Sequence, residues 1–428
     1  MAAATIVLRC SQLNTGRMTE HLYYNDSFLY EFDAVVTDIM PASQAEPRPA
    51  AILDRTAFYP TSGGQVFDTG TLNPAPISAQ VDAPQVVEVA EREDGAILHF
   101  LDHATPLARG LKVRGVIDAE RRKDHMQQHS GQHILSAAFV RLFNMATVSF
   151  HMGEDYCSID LDTKTVTPPQ VEAAERLANE VVLEDRPVQI RYVTQQEAQG
   201  LGLRKIPPVE RGELRLIDIK DFDLTACGGT HVRGTGQVGC ILLRKTEKVR
   251  QGTRVEFVCG MRAVKTARHD YTVLAEAAAL YSARLWDVPQ QVRKAQDEAR
   301  AARRSREELL DEIAEHQAAT LLAATEVENG RKVLSRVFPD RDLAFIKLLA
   351  QKITRLEPAV ALLASTSGQA AVVFAQSSGQ PFHMGSLIKE ALGVTGGRGG
   401  GSQDMAQGGP EKIERLESIL QELSWKVR

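Results

Sequence analysis

The sequence predicts an α+β multidomain fold: a small N-terminal β-barrel, an α+β domain, a helical arm and a C-terminal α/β accessory domain. Three observations lead there. A length of 428 residues accommodates about three domains at roughly 100–200 residues each. Hydrophobic periodicity switches near Asp118 from short alternating runs to helical spacing. Past residue 330, strand and helix signals alternate again. The composition, 43% hydrophobic and 25% charged, is that of a globular chain rather than a disordered one. No apolar run nears the ~20 residues a membrane span needs, which argues against a membrane protein. Fifty basic against 55 acidic residues leave a net charge of −5, so any nucleic-acid surface has to be local.

Residues 1–17 have a short apolar patch but no basic start and no long apolar stretch, and they read as a tail rather than a secretory signal. The span 18–115 supplies the barrel: FDAVVTDI, AAILDRTAFY, TSGGQVFDTGTL and VVEVAEREDGAILHFL are short strands broken by glycine turns. The span 116–260 opens on a proline-free helix, AERRKDHMQQHSGQHILSAAFVRLF. It continues through strands (ATVSFHM, YCSIDLD), a Pro-initiated helix (PPQVEAAERLANEVV), further strands through DLTACGGTHV, and a closing hairpin. Alanine, arginine and glutamate dominate 261–330, as in a pair of long helices. The span 331–428 returns to α/β alternation, passes a glycine-rich segment and ends on an amphipathic helix. Five cysteines without a CxxC pair fit a reducing, cytoplasmic compartment.

His129 and His133 stand four apart in HSGQH, on one face of the predicted helix, where both can reach one ion. Cys227 and His231 repeat the spacing in ACGGTHV. Together they offer one thiolate and three imidazoles, a donor set suited to Zn²⁺. The same residues would also serve as satisfied helix histidines and a small buried hydrophobe, because spacing alone does not bring the two pairs together. An HExxH peptidase places a glutamate after the first histidine; Ser130 stands there, so that chemistry is not expected. Four protein ligands would fill a tetrahedron, and the ion would then organise the pocket or hold substrate while a separate water attacks.

Two further signals are weighed. GTGQVG matches a dinucleotide fingerprint, but CILLRK after it reads as a strand where that motif needs a helix, and no Walker A pattern occurs. Residues 244–268 hold eight basic residues against two acids, among them Arg244, Lys245, Lys248, Arg250 and Arg254. Ordinary solvation accounts for most charge runs. Beside a candidate active site, such a surface also suits phosphate contacts.

Taken together, TAFYPTSGGQVFDTG, HSGQHIL, CGGTHVRGTGQVG, RVEFVCGMRA and GGRGGGSQDMAQGG resemble the editing half of alanyl-tRNA synthetase, and above all the long free-standing alanyl-tRNA editing proteins of the AlaX type. The likeness covers nearly everything after Met18. Threonyl-tRNA synthetases share the HxxxH and CxxxH skeleton, but the CGGTH wording points to the alanine system. The resemblance makes 116–260 an editing domain and 331–428 a DHH-associated domain, without a DHH motif before it. It implies Zn²⁺ on His129, His133, Cys227 and His231, and hydrolysis of serine or glycine, chiefly serine, from mischarged tRNA(Ala), without aminoacylation. Discriminating against alanine requires a group that pairs with the serine hydroxyl; Thr147 is the candidate, with Gln132 beside His133. Each also fits a plain role, as a strand residue or an exposed helix residue. Family synthetases carry HTATH where this chain has HSGQH, and arginine and proline where it has Ser402 and Gln403. Gly399, Gly400 and Gly401 are expected in a loop that touches nucleic acid, with a plain flexible loop as the alternative. The competing function is a non-catalytic tRNA-binding or partner module with a structural zinc. The arm or C-terminal domain packs within one chain or across a homodimer, and periodicity leaves both open.

Overall fold

The computed structural model describes residues 18–75, 83–103, 107–201, 203, 213–250 and 252–428. The expected tail, 1–17, lies outside the described residues. The chain separates into two compact units, 1–273 and 274–428.

The first unit begins with β1 (Glu20–His21), β2 (Glu31–Met40), β3 (Ala50–Leu53), β4 (Arg55–Thr56), β5 (Gly70–Pro74), β6 (Gln85–Glu91), β7 (Ile97–Leu101) and β8 (Lys112–Ile117). Alternation places Phe32, Ala34 and Val36 of β2, and Val113 and Ile117 of β8, on the inner face with Leu53, Phe58, Leu72, Val89, Ile97 and Leu101. Next come α1 (Ala119–Phe143), β9 (Thr147–Met152), β10 (Cys157–Leu161), α2 (Pro168–Leu183), β11 (Val188–Val193), α3 (Gln195–Gly200), β12 (Leu214–Ile219), β13 (Asp223–Ala226), β14 (Ile241–Val249) and β15 (Gly252–Cys259). A four-stranded sheet runs β14–β15–β10–β9 and a three-stranded one β11–β12–β13. Helices α1 and α2 bury Ile134, Leu135, Phe139, Ala174 and Ala178 against Ile159, Val255 and Phe257 of the larger sheet.

Helix α4 (Gly260–Leu280) leaves this unit and runs into the second, which continues with α5 (Val288–Ala323), β16 (Val327–Glu328), β17 (Arg331–Phe338), α6 (Leu343–Leu356), β18 (Ala359–Ser365), β19 (Ala371–Gln376), α7 (Met384–Thr395), β20 (Arg398–Gly401), β21 (Met405–Gly409) and α8 (Leu416–Lys426). Every residue of β18 is buried because both sheet faces are covered. Val360 and Leu362 face α7 and α8, while Ala361 and Leu363 face α6 and the end of α5.

The architecture keeps one part of the expected fold class and corrects another. The N-terminal strands close into a small barrel, though an unevenly paired one. Their order β2–β3–β7–β6–β5–β8 returns to β2, but the β5–β6 seam is held only by Gly70↔Val86 and Thr71↔Gln85. Pairing of β5 with β8 is longer, running from Gly70↔Ile117 to Pro74↔Val113. Register shifts in β2–β3 and β6–β7 interrupt the ladders further. The C-terminal sheet is mixed rather than an α/β alternation: β17–β18 is parallel, and the other pairs are antiparallel.

Two local expectations are also corrected. The CGGTH segment is not strand, since β13 ends at Ala226. Gly399, Gly400 and Gly401 do not form a loop: they lie in β20, an edge strand paired with β21 from Arg398↔Gly409 to Gly401↔Ala406. The reason is steric. A Cβ at Gly399 would stand 2.6 Å from both Gly408 Cα and the Leu392 side chain, and one at Gly401 would stand 2.3 Å from the Met405 carbonyl.

Candidate metal centre

Helix α1 carries the centre. Asp118 caps it, accepting the Glu120 and Arg121 amides at 3.1 Å. Polar residues are buried along its length: Arg122, Gln128, His129, Ser130, His133 and Ser136. Buried polar groups need partners, and each end of the helix finds them differently. Arg122 is fully enclosed, with Asp68 at 2.5 Å, the Ser27 carbonyl at 2.8 Å and the Ala57 carbonyl at 2.5 Å. Six residues past His125, the helix passes so close to β15 that a Cβ at Gly131 would stand 2.3 Å from Cys259 Sγ. That approach explains the glycine between the two histidines.

The other donors arrive on the segment after β13, whose pairing with β12 through Leu216↔Ala226 delivers Cys227 to the helix. The Cys227 amide donates to the Arg215 carbonyl at 3.2 Å, and Arg215 Nη1 donates to the Cys227 carbonyl at 2.6 Å. Gly229 donates its N–H toward Cys227 Sγ at 3.4 Å; a Cβ there would lie 2.1 Å from the His129 ring. The ligand atoms of His129, His133, Cys227 and His231 all lie within 4.8 Å of one another. Cys227 Sγ is 3.4 Å from His129 Nε2 and 3.3 Å from His231 Nε2. Tetrahedral zinc, with Zn–N of ~2.0 Å and Zn–S of ~2.3 Å, would put N and S about 3.5 Å apart. The residues therefore fit that ion.

Each histidine is turned by a different partner. Gln65 Oε1 accepts from His129 Nδ1 at 2.7 Å and from the Thr230 amide at 3.1 Å, while Gln65 Nε2 donates to Thr230 Oγ1 at 2.8 Å. An amide oxygen only accepts, so the proton sits on His129 Nδ1 and Nε2 presents its lone pair to the cluster. Ser130 Oγ lies 3.1 Å from His231 Nδ1 and accepts the Val232 amide at 3.1 Å. Asp223 stands 3.7 Å from His133 Nδ1, within ion-pair reach. Phe150 stacks on His129 with centroids 5.5 Å apart.

Electrostatics follow from this packing in the metal-free chain. Burial alone would raise the Cys227 thiol, but the His129 and His231 rings outweigh it and hold the thiol well below its ordinary value. For His133 burial alone would lower the pKa; Asp223 and Cys227 outweigh it and raise the imidazole to about 9. Burial pushes His231 down to about 3, against the pull of Cys227. Both shifts favour a charged thiolate beside a charged imidazole, and a metal entering the cluster would displace that proton.

Of the other residues singled out in the sequence, Gln132 and Thr147 come together through a third. Gln132 Nε2 donates to Ser136 Oγ at 2.9 Å, and Ser136 Oγ lies 2.7 Å from Thr147 Oγ1. Both are half-buried. Among the basic residues, Arg244 pairs with Asp270, Lys245 with Glu247 at 2.6 Å and Arg254 with Asp160 at 2.7 Å. Lys248 and Arg250 are exposed and form no ion pair among the described residues. Gly399, Gly400 and Gly401 belong to the second unit. Gln65, Asp223, Ser130, Phe150 and Arg215 were missed. Gln65 and Ser130 lay inside quoted motifs, TSGGQVFDTG and HSGQH, but nothing local marks them as histidine partners. Arg215 is buried, donates from Nε to the Tyr24 carbonyl at 2.9 Å and leaves Nη2 without a hydrogen bond among the described residues.

Three families match parts of the chain. Residues 214–255 match the threonyl and alanyl tRNA synthetase second additional domain, residues 5–121 the class II (A) tRNA synthetases, and residues 339–428 the DHHA1 domain. The alanyl-tRNA editing protein AlaX-L of Pyrococcus horikoshii is 32% identical over 426 aligned residues, which cover 94% of this chain and 100% of that protein. The alanine–tRNA ligase of Archaeoglobus fulgidus is 31% identical over 94% of this chain, but only 43% of that ligase is covered. The chain thus spans less than half the length of the ligases it matches. The solved C-Ala domain of Aquifex aeolicus alanyl-tRNA synthetase covers 24% of this chain at 22% identity, with a TM-score of 0.23 that is too low to carry an argument.

Proposed function

From the premise that this chain belongs to the alanyl-tRNA editing family of the AlaX-L kind, we propose that it is a zinc-dependent hydrolase that removes serine or glycine, chiefly serine, from mischarged tRNA(Ala). The observation that carries the reading is the convergence of His129, His133, Cys227 and His231 on one point, each histidine being oriented from behind by Gln65, Asp223 or Ser130. Such outer partners fix ring orientation and ligand basicity. Zn²⁺ held there would supply a Lewis acid beside the ester.

The chain's own residues would do the rest. An ester is already activated, so its hydrolysis needs an oriented water and stabilisation of developing negative charge more than a strong nucleophile. Arg215 Nη2 is a buried cationic donor without a hydrogen bond among the described residues, on the residue that holds the Cys227 carbonyl. Thr147, through Ser136 and Gln132, offers a hydroxyl that would exchange its protein bond for the hydroxyl of serine. Alanine has no such group, and sites built on polar pairing reject analogues that lack it. Lys248 and Arg250, free of acidic partners among the described residues, would meet phosphates.

The test is time-resolved deacylation of Ser-tRNA(Ala), Gly-tRNA(Ala) and Ala-tRNA(Ala), with zinc content measured in the wild type and in His133→Ala. Serine release that tracks zinc, with alanine spared, supports the reading. One observation favours the competing module with a structural zinc: four protein donors fill a tetrahedron, as structural sites do. A folded, zinc-loaded protein without turnover would decide for that module.

A further inference from the structure

One turn before His129 on α1, His125 is buried to 2% exposure, and neither ring nitrogen has a hydrogen bond among the described residues; Nδ1 is wholly enclosed. Burial, with Arg121 nearby, pushes its pKa down to about 4, so the ring is neutral near pH 7 and offers one donor and one acceptor. A buried imidazole without partners is costly unless something pairs with it. His125 lines a cavity of about 970 Å³ whose wall includes Val66, Phe67 and Met152.

Segments that support the metal centre also line this cavity. Val66 and Phe67 follow Gln65, which holds His129. Met152 lies two residues beyond Phe150, which stacks on His129. At the rim, Lys123 and Lys265 are exposed and form no ion pair among the described residues. Arg262, in contrast, is bound to Asp124 at 2.5 Å and to the Gly153 carbonyl at 2.7 Å. The lining carries charge of both signs: Glu120, Glu154 and Asp155 stand with the lysines, and Arg121 lies over the Phe67 ring, 5.3 Å from its centroid. An apolar patch, a neutral hydrogen-bonding ring, ammonium groups and carboxylates together suit a nucleotide. Its base has a π-face for Phe67 and Arg121 and polar edges for His125, with an exocyclic amino group for a carboxylate and a phosphate for the lysines.

We propose that this cavity is a nucleotide subsite that takes the penultimate nucleotide of the acceptor strand, its base against Phe67 and Met152 with an edge bonded to His125, and its phosphate at Lys123 and Lys265. The proposal rests on the deacylase reading only for the identity of that strand.

Two measurements on the full, zinc-loaded chain test it separately from that reading. The first is KM and kcat for Ser-tRNA(Ala) in the wild type, His125→Phe and Lys265→Glu. The second is direct titration with the 5′-phosphorylated dinucleotide of cytidine and adenosine. Loss of a base contact weakens binding by about tenfold or more, so KM should rise by that factor in His125→Phe with the effect on KM rather than kcat, and dinucleotide affinity should fall in parallel. Lys265→Glu changes an exposed residue and keeps the test open should His125→Phe fail to fold; it should weaken both bindings. If wild-type turnover is present and both variants leave KM and dinucleotide binding unchanged, the subsite is overturned and the deacylase reading stands. If turnover is absent but the dinucleotide binds in a His125- and Lys265-dependent way, the deacylase reading fails and the subsite stands. A dinucleotide that does not bind the wild type overturns the subsite.

Discussion

Helix α1 buries charge twice, less than three turns apart, with opposite outcomes. At Arg122 the donors shown are all spent on Asp68 and two backbone carbonyls, and nothing points at empty space. At His129 the outer nitrogen bonds Gln65 and at His133 it faces Asp223 at 3.7 Å, while the inner ones converge with Cys227 and His231. Burial is shared by both places. The direction of the spare lone pairs distinguishes a clamp from a binding site, and this is why fully satisfied buried networks rigidify while convergent ones take ions.

The largest expected effect lies on the convergent side. Cys227→Ala should remove the metal, lowering bound zinc by about tenfold or more by elemental analysis, and deacylation should fall with it. Retention of stoichiometric zinc would mean that the cluster is not the binding site. On the satisfied side, Asp68→Asn strands a buried guanidinium and should cost about 3–5 kcal/mol in urea unfolding. Zinc affinity measured below the transition should change little, and a large loss there would show that the two sites are coupled. Gln65→Ala falls between them: loss of a ligand's outer partner typically costs about 10–100-fold in metal affinity, readable by chelator competition.

A smaller effect comes from a histidine that is satisfied like Arg122. His99 is fully buried, 2.8 Å from Thr56 Oγ1 and 3.1 Å from the Ala51 carbonyl, and burial lowers its pKa to about 4. The folded state therefore protonates less readily than the unfolded chain, whose histidine titrates near 6.5. Stability is intact above pH 6.5 and falls as pH drops toward 4, by on the order of 3 kcal/mol from this group. His99→Gln should flatten that part of the pH–stability curve. The smallest effect is expected at Lys245, already paired with Glu247 on the surface. Lys245→Ala should alter stability by less than about 1 kcal/mol, and a large loss of tRNA binding would mean that the pair opens to meet phosphate.

Much of this was legible along the chain. The long helix α1 and the four donors depend on spacing within one helix or one short segment. The uneven pairing of the N-terminal barrel was not legible, because whether β5 spends its residues on β8 or β6 is decided by pairing partners distant in sequence. The basic run read as an open surface since its signs could be counted, but Asp160 and Asp270 that neutralise Arg254 and Arg244 come from β10 and α4. Gly399, Gly400 and Gly401 suggested a loop because glycine favours one; the close approach of β21 and Leu392 requires glycine for another reason.

By itself, then, the sequence determined which chemistries are available: a thiol, three imidazoles at helical spacing, and the glycines that let backbone and ring approach. Only the tertiary structure decided which of them act together. Gln65 reaches His129 across 64 positions, and Arg215 closes on a Cys227 carbonyl that no periodicity would assign to it. The physical reason is that propensity and spacing act over a few residues, whereas a buried hydrogen bond is set by whichever group the packed core brings within about 3 Å.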